Sequence, residues 1–187
     1  MKNAHRTALV AGATGLTGEC VLKQLIEDNT YTRVDVLTRR PLPLRHAKVR
    51  EHIIDFNRDF NRDSEMDHLF KVDDVFCCLG TTMKKAGSRE TFCRVDRDYP
   101  VKIASVASQN NARQFLVISA LGANPGSMIF YNRTKGEMEQ GLKDLPLNTL
   151  HIFRPSLLKG NRKEFRFAER LSVIIADIFS FMLIGRL

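Results

Sequence analysis

Short runs of consecutive apolar residues alternate along this chain with longer segments in which apolar residues recur every three or four positions. Runs of the first kind suit strands covered on both faces of a sheet, and segments of the second kind suit amphipathic helices. The pattern predicts strands over residues 7–12, 33–38, 49–55, 73–80, 114–120 and 148–154, and helices over 15–28, 88–110 and 131–143. VFCCL and FLVIS are apolar at nearly every position, as expected of strands with no solvent face. Strands alternating with helices imply an α/β fold, a doubly wound parallel sheet with helices on both faces. Residues 1–187 are expected to form a single domain, with 157–187 as a short C-terminal substrate-side or interaction segment.

Sheets of this kind bind ligands outside the carboxyl ends of their strands, so the residues at those ends carry the chemistry. The first strand runs into TALVAGATGLTG, residues 7–18, whose Gly12, Gly15 and Gly18 are spaced three apart and open onto an amphipathic segment, Glu19–Asn29. Gly12 permits a tight turn, Gly15 lets the backbone approach a pyrophosphate, and Gly18 lets the helix sit close on the sheet. The helix start then offers free N–H groups and the positive end of its dipole to phosphate. Glycines at this spacing also suit an ordinary turn. Their setting between an apolar strand and a helix makes dinucleotide binding the reading here and narrows the fold class to the Rossmann type.

The second strand, VDVLTRRP, ends in Arg39 and Arg40 behind Thr38. In an NAD site a carboxylate stands there and accepts from the ribose 2′-hydroxyl, whereas arginine suits a 2′-phosphate. NADP(H) is therefore expected in preference to NAD(H), although two arginines ahead of a proline also fit a solvated loop. The formal net charge of +8 is concentrated in the same region, in Arg33, Arg39, Arg40, Arg45, Lys48 and Arg50. A charged dinucleotide accounts for it, with nonspecific polyanion binding as the alternative. No aromatic residues are interleaved with these cations and no nucleic-acid motif occurs, so no specific nucleic-acid partner is expected.

Cys20, Cys77, Cys78 and Cys93 form no CxxC pair and no zinc-like spacing, and no metal site is expected. Free thiols and a polar start, MKNAHRT, without a secretory leader point to a cytoplasmic protein.

The remaining strand ends supply further candidates. Asp55 closes the third strand, where it suits either an adenine amino group or plain solvation. The fourth strand leads into Gly80, Thr81 and Thr82, small residues that let the chain pass close to a cofactor. MKKAGSRE reads as a polar loop over the site, with Ser88 opening the next helix. Ser119 ends the fifth strand in VISALGA, and Tyr131 and Lys135 follow four apart on one helix face. A tyrosine hydroxyl titrates near pH 10 (about 10 in model peptides) and needs a neighbouring cation to work as a base. Lys135 can supply it, while Ser119 hydrogen-bonds a substrate oxygen.

GATGLTG, the Arg39–Arg40 strand end, CCLGTT, ISALGA, the YNRTK form of a YxxxK pair and FRPS at 153–156 together resemble an atypical short-chain dehydrogenase/reductase. More narrowly, CCLGTTMKKAGSRETFCRVDRDYP, ISALGANP and YNRTKGEME resemble the Tat-interacting oxidoreductase family of CC3-like metastasis suppressors and their bacterial homologues. The resemblance implies that Gly12, Thr14, Gly15, Leu16, Thr17, Gly18, Arg39 and Arg40 hold NADPH and that Asp55 faces adenine. It further implies that Leu79 and Gly80, followed by Thr81, flank the adenosine ribose. Ser119, Tyr131 and Lys135 would be the catalytic triad, with Lys135 also on the cofactor, and Arg154, Pro155 and Ser156 would line the nicotinamide end.

Two departures stand out. Many extended relatives place an asparagine on the helix after the fourth strand, where this chain has Val95-Asp96-Arg97. The last stretch, EFRFAERLSVIIADIFSFMLIGRL, is strongly apolar but too short, and too interrupted by Asp177, to span a bilayer. It suits a helix on the substrate pocket, a protein-partner surface or a membrane face. Three functions follow: an oxidoreductase acting on an unidentified small carbonyl or alcohol, an NADP(H)-binding regulatory protein without turnover, and a sugar-nucleotide epimerase or dehydratase. Little chain remains after residue 156 for the substrate domain that the third would need.

Overall fold

The apolar runs lie side by side in the computed structural model, which describes residues 5–58, 60 and 64–156. The strands are β1 (Arg6–Ala11), β2 (Tyr31–Thr38), β3 (Val49–Ile53), β4 (Asp74–Cys77), β5 (Gln114–Ile118) and β6 (Leu150–Phe153). They form one sheet in the order β3-β2-β1-β4-β5-β6, with every neighbouring pair parallel. The strand order reverses between β1 and β4, which fixes the ligand crevice of a doubly wound sheet at their carboxyl ends. The expected Rossmann-type architecture is thus the observed one. The C-terminal segment expected over 157–187 lies outside the described residues.

The helices are α1 (Leu16–Glu27), α2 (Ser64–Leu69), α3 (Met83–Ala86), α4 (Arg89–Cys93), α5 (Tyr99–Gln109) and α6 (Phe130–Lys143). Because side chains alternate across a strand, β1 feeds two cores. Ala8 and Val10 pack with Leu22, Leu25, Val34 and Val36 under α1. Leu9 and Ala11 join Phe115, Ile103, Met138 and Leu142 on the α5 and α6 face. The edge strands β3 and β6 contain no buried residue, each position being half buried or exposed.

The amino ends of the strands are tied by charge. Asp74, wholly buried, accepts from the Tyr31 hydroxyl at 2.6 Å and from Arg113 Nη2 at 2.6 and 2.8 Å. Burial, with Asp74 beside it, pushes the Tyr31 hydroxyl up to about 12. This clamp lies opposite the crevice and leaves the carboxyl ends open for chemistry.

Several expected elements differ in detail. The continuous helix read over 88–110 is broken into α4, a π-helical segment Arg94–Asp98 and α5. Pro100 is responsible: it has no N–H for the Asp96 carbonyl and its ring crowds that carbonyl, so the helix widens and the Tyr99 N–H reaches back to the Arg94 carbonyl. The loop read at MKKAGSRE contains α3, capped by the Thr82 hydroxyl, which accepts from the Lys85 N–H, and closed by Gly87 at φ 73°. Ser88 caps α4 in the same manner, as its position implied. Short α2 was missed because its single turn carries too few residues to show a period.

Gly18 makes the α1–β1 crossing possible, since a Cβ there would stand 2.1 Å from the Gly12 carbonyl oxygen. Gly18→Ala is expected to lower unfolding free energy by about 2 kcal/mol or more, measured by urea denaturation without any ligand.

Candidate functional site

The glycine corner at the end of β1 is shaped by three different demands. Gly12 has φ 88°, and a Cβ on it would lie 2.6 Å from the Cys78 carbonyl group, where the chain leaving β4 passes. Gly18 answers to the helix crossing just described. Gly15 answers to neither, because its backbone is extended (φ −88°, ψ 165°) and its Cβ would meet nothing nearer than the Gly12 oxygen at 3.4 Å. It is the N-terminal cap of α1, no side chain bonds to that cap, and both Thr14 and Gly15 are exposed. A helix start left uncapped and open offers its N–H groups to an anion, and the protein's own packing gives Gly15 no other reason to lack a side chain. Leu16 and Thr17, half buried, form the first turn behind it.

Arg39 and Arg40 project, exposed, from the end of β2, whose Leu37 is in register with Ala11. Thr38 braces them, its buried hydroxyl donating to the Arg40 carbonyl at 2.7 Å. The position that would carry an acid in an NAD site is thus spent on shaping the arginine turn. Asp55, exposed beyond β3, accepts at 2.9 Å from both the backbone and the side-chain amide of Asn57. Leu79 is half buried and Gly80 exposed beyond β4, while the Thr81 N–H donates at 2.7 Å to Asp96 Oδ2.

The third group lies on one face of α6. Tyr131, Lys135 and Glu139 succeed one another at four-residue steps. Tyr131 packs against Phe92 of α4 with the rings tilted at 59° and their centroids 6.0 Å apart. Lys135 is almost wholly buried and its Nζ sits 2.8 Å from Asp96 Oδ1, an ionic contact that is not aligned as a hydrogen bond. Ser119, at the end of β5, donates its hydroxyl to Glu139 Oε1 at 2.5 Å rather than to Tyr131. Arg154 Nε donates to the same oxygen at 2.8 Å, and its Nη2 pairs with Oε2. Burial alone would raise the Glu139 carboxyl; bonds from Arg154 and Ser119 and the Arg154 charge outweigh it and hold the group below its usual value. Beyond β6, the Pro155 carbonyl accepts from the Leu121 N–H at 3.1 Å, and Ser156 is exposed.

The fold therefore gathers all the sequence-derived candidates at the carboxyl ends of the strands. It adds Asp96, Glu139 and Gly136. Glu139 was legible as a third polar group at the Tyr131–Lys135 spacing. Gly136 carried no such signal: a Cβ there would strike the Asn124–Pro125 backbone at 2.2 Å, a contact between distant segments. Among the described residues no helix is long and apolar enough to cross a membrane.

Comparison with known proteins gives the site its setting. A protein-family model described as NAD(P)H-binding matches residues 12–169. Protein HTATIP2 of Rattus norvegicus is 35% identical over 175 residues, covering 91% of this chain and 70% of that one. Protein FMP52, mitochondrial, of Eremothecium gossypii is 36% identical over 156 residues, covering 83% and 68%. The solved Bordetella bronchiseptica enzyme WbmG in complex with NAD superposes with a TM-score of 0.70 at 14% identity, a likeness of fold; the match covers 92% of this chain and 61% of that one. The mitochondrial naming of the FMP52 relatives overturns the cytoplasmic expectation. Free thiols carry no address that separates the cytosol from the mitochondrion. The resemblance to Tat-interacting oxidoreductases is borne out, and with the family model spanning glycine corner, arginine turn and α6 alike, this chain belongs to the NAD(P)H-binding family that it describes, with HTATIP2 and the FMP52 proteins as relatives.

Proposed function

We propose that this chain is an NADP(H)-dependent oxidoreductase of the short-chain type acting on a small carbonyl or alcohol, with Tyr131 as acid/base supported by Lys135 and Ser119. The observation that carries the reading is the buried Lys135 one helical turn from Tyr131, at the carboxyl end of the sheet, the end at which the uncapped start of α1 opens from the opposite face. A bound nicotinamide dinucleotide would supply or accept the hydride. Gly12, Thr14, Gly15, Leu16, Thr17 and Gly18 form the pyrophosphate cradle, Arg39 and Arg40 pair with the 2′-phosphate, and Asp55 and Leu79–Thr81 border the adenosine. Arg154, Pro155 and Ser156 border the nicotinamide end.

Tyr131 gives its proton to the substrate oxygen in reduction and takes it back in oxidation. The Lys135 ammonium stabilises the phenolate that each cycle leaves behind. Ser119 has one hydroxyl proton, and Glu139 holds it. To donate to a substrate oxygen, Ser119 must first release Glu139, which Arg154 then keeps neutralised. That commitment favours a second reading, a regulatory protein that binds NADP(H) without turnover and engages a protein partner.

Three outcomes test these readings. Gly15→Ala should lower apo stability by no more than about 1 kcal/mol, the worth of an N-cap, because the methyl group meets only the Gly12 oxygen at 3.4 Å, while weakening NADPH and NADH binding alike in calorimetric titration. Replacing Arg39 and Arg40 by alanine should cost NADPH about tenfold to a hundredfold in affinity, the worth of lost charge-assisted bonds to phosphate, with NADH affinity nearly unchanged; equal losses would remove the NADP assignment. Tyr131→Phe should abolish carbonyl reduction at unchanged NADPH affinity. Protein that binds NADPH but reduces no member of a broad aldehyde and ketone panel supports the regulatory reading.

A further inference from the structure

The α6 face holds an ion pair that neither partner could maintain alone. The side chains of Lys135 and Asp96 are 4% and 0% exposed, with 2.8 Å between Nζ and Oδ1. Burial favours the neutral form of each, so an isolated lysine here would shed its proton and an isolated aspartate would acquire one. The other polar groups are too few to replace either charge. The Ile118 carbonyl is 3.5 Å from Nζ, and the Thr81 N–H donates to Asp96 Oδ2 at 2.7 Å.

The titratable neighbours leave Asp96 as the compensating group. At the end of β4, burial pushes the Cys77 thiol up to about 11, so it is neutral at neutral pH. On α4, Cys93 reaches Thr134 at 3.8 Å. Arg97, next to Asp96, is turned to Asp98 and Glu137. On α6 itself, Tyr131 and Glu139 lie one turn to either side, and Glu139 is taken by Ser119 and Arg154. Among the described residues, Asp96 is the carboxylate that meets Lys135.

Its placement is built by the backbone. Asp96 sits in the π segment that Pro100 imposes, and its second oxygen is fixed by the loop that follows β4. An asparagine at this position could orient a lysine but would bring no charge to balance it.

We infer that Asp96 is a positioning residue of this site: it keeps the buried Lys135 protonated and ties it to the Thr81 loop, so that the cation beside Tyr131 exists at neutral pH. This rests on reading Tyr131 and Lys135 as the proton-transfer pair. The test needs neither cofactor nor substrate, so its failure is distinguishable from a failure to find turnover.

The experiment is a pH titration of the lysine Cε resonances by NMR in carbon-13-labelled protein, with Lys135 assigned through Lys135→Met. The Lys135 midpoint should fall by at least about two units in Asp96→Asn relative to the unmodified chain, and Asp96→Glu should restore it. An unchanged midpoint in Asp96→Asn overturns the inference. If that variant does not fold, the double variant Asp96→Asn/Lys135→Met decides. Recovery of folded protein supports mutual compensation, and continued failure assigns Asp96 to the Thr81 loop alone and overturns the proposal.

Discussion

The absence of side chains at Gly12 and Gly18 is the constraint on which the rest of this structure depends. The Gly12 carbonyl oxygen occupies the space a Cβ on Gly18 would need, and the Cys78 backbone occupies the space a Cβ on Gly12 would need. With both positions bare, β1, α1 and the chain leaving β4 converge at the point where the strand order reverses. Convergence there orients α1 so that its uncapped first turn faces the crevice. It also sets the carboxyl ends of β2, β3, β4 and β5 around the same opening.

Charge compensation governs the other half of the site. α6 buries Lys135 and Glu139, two charges that apolar packing alone would neutralise. Each is matched from a different element, Lys135 by Asp96 on the π segment and Glu139 by Arg154 beyond β6. These pairs do more than hold the helix down. They determine which protons are free to move: the Ser119 proton is engaged by Glu139, whereas the Tyr131 hydroxyl is tied to no protein acceptor among the described residues. The proposed proton-transfer role of Tyr131 draws on that difference.

The relatives fit this division. HTATIP2 and FMP52 match over most of this chain and the family model spans the glycine corner, the arginine turn and α6, whereas the WbmG likeness is confined to the fold. The cytoplasmic expectation was the one overturned. Thiol usage reports on redox conditions and carries no organelle address, so it could not settle the compartment.

What the sequence determined by itself is what depends on local periodicity and on residue type. Apolar runs such as VFCCL placed the strands, the glycine spacing placed the turn between β1 and α1, and the four-residue step from Tyr131 to Lys135 placed both on one helix face. What only the tertiary structure decided depends on contacts between distant segments. Pro100 was visible, but not that the helix would widen before it and bury Asp96; Glu139 was visible, but not that it would take the Ser119 proton; Gly136 was visible, but not the Asn124–Pro125 backbone that excludes a side chain there. Periodicity records which face of an element is buried. The partner that a buried charge meets is chosen by the packing of elements dozens of residues apart, and no local pattern encodes it.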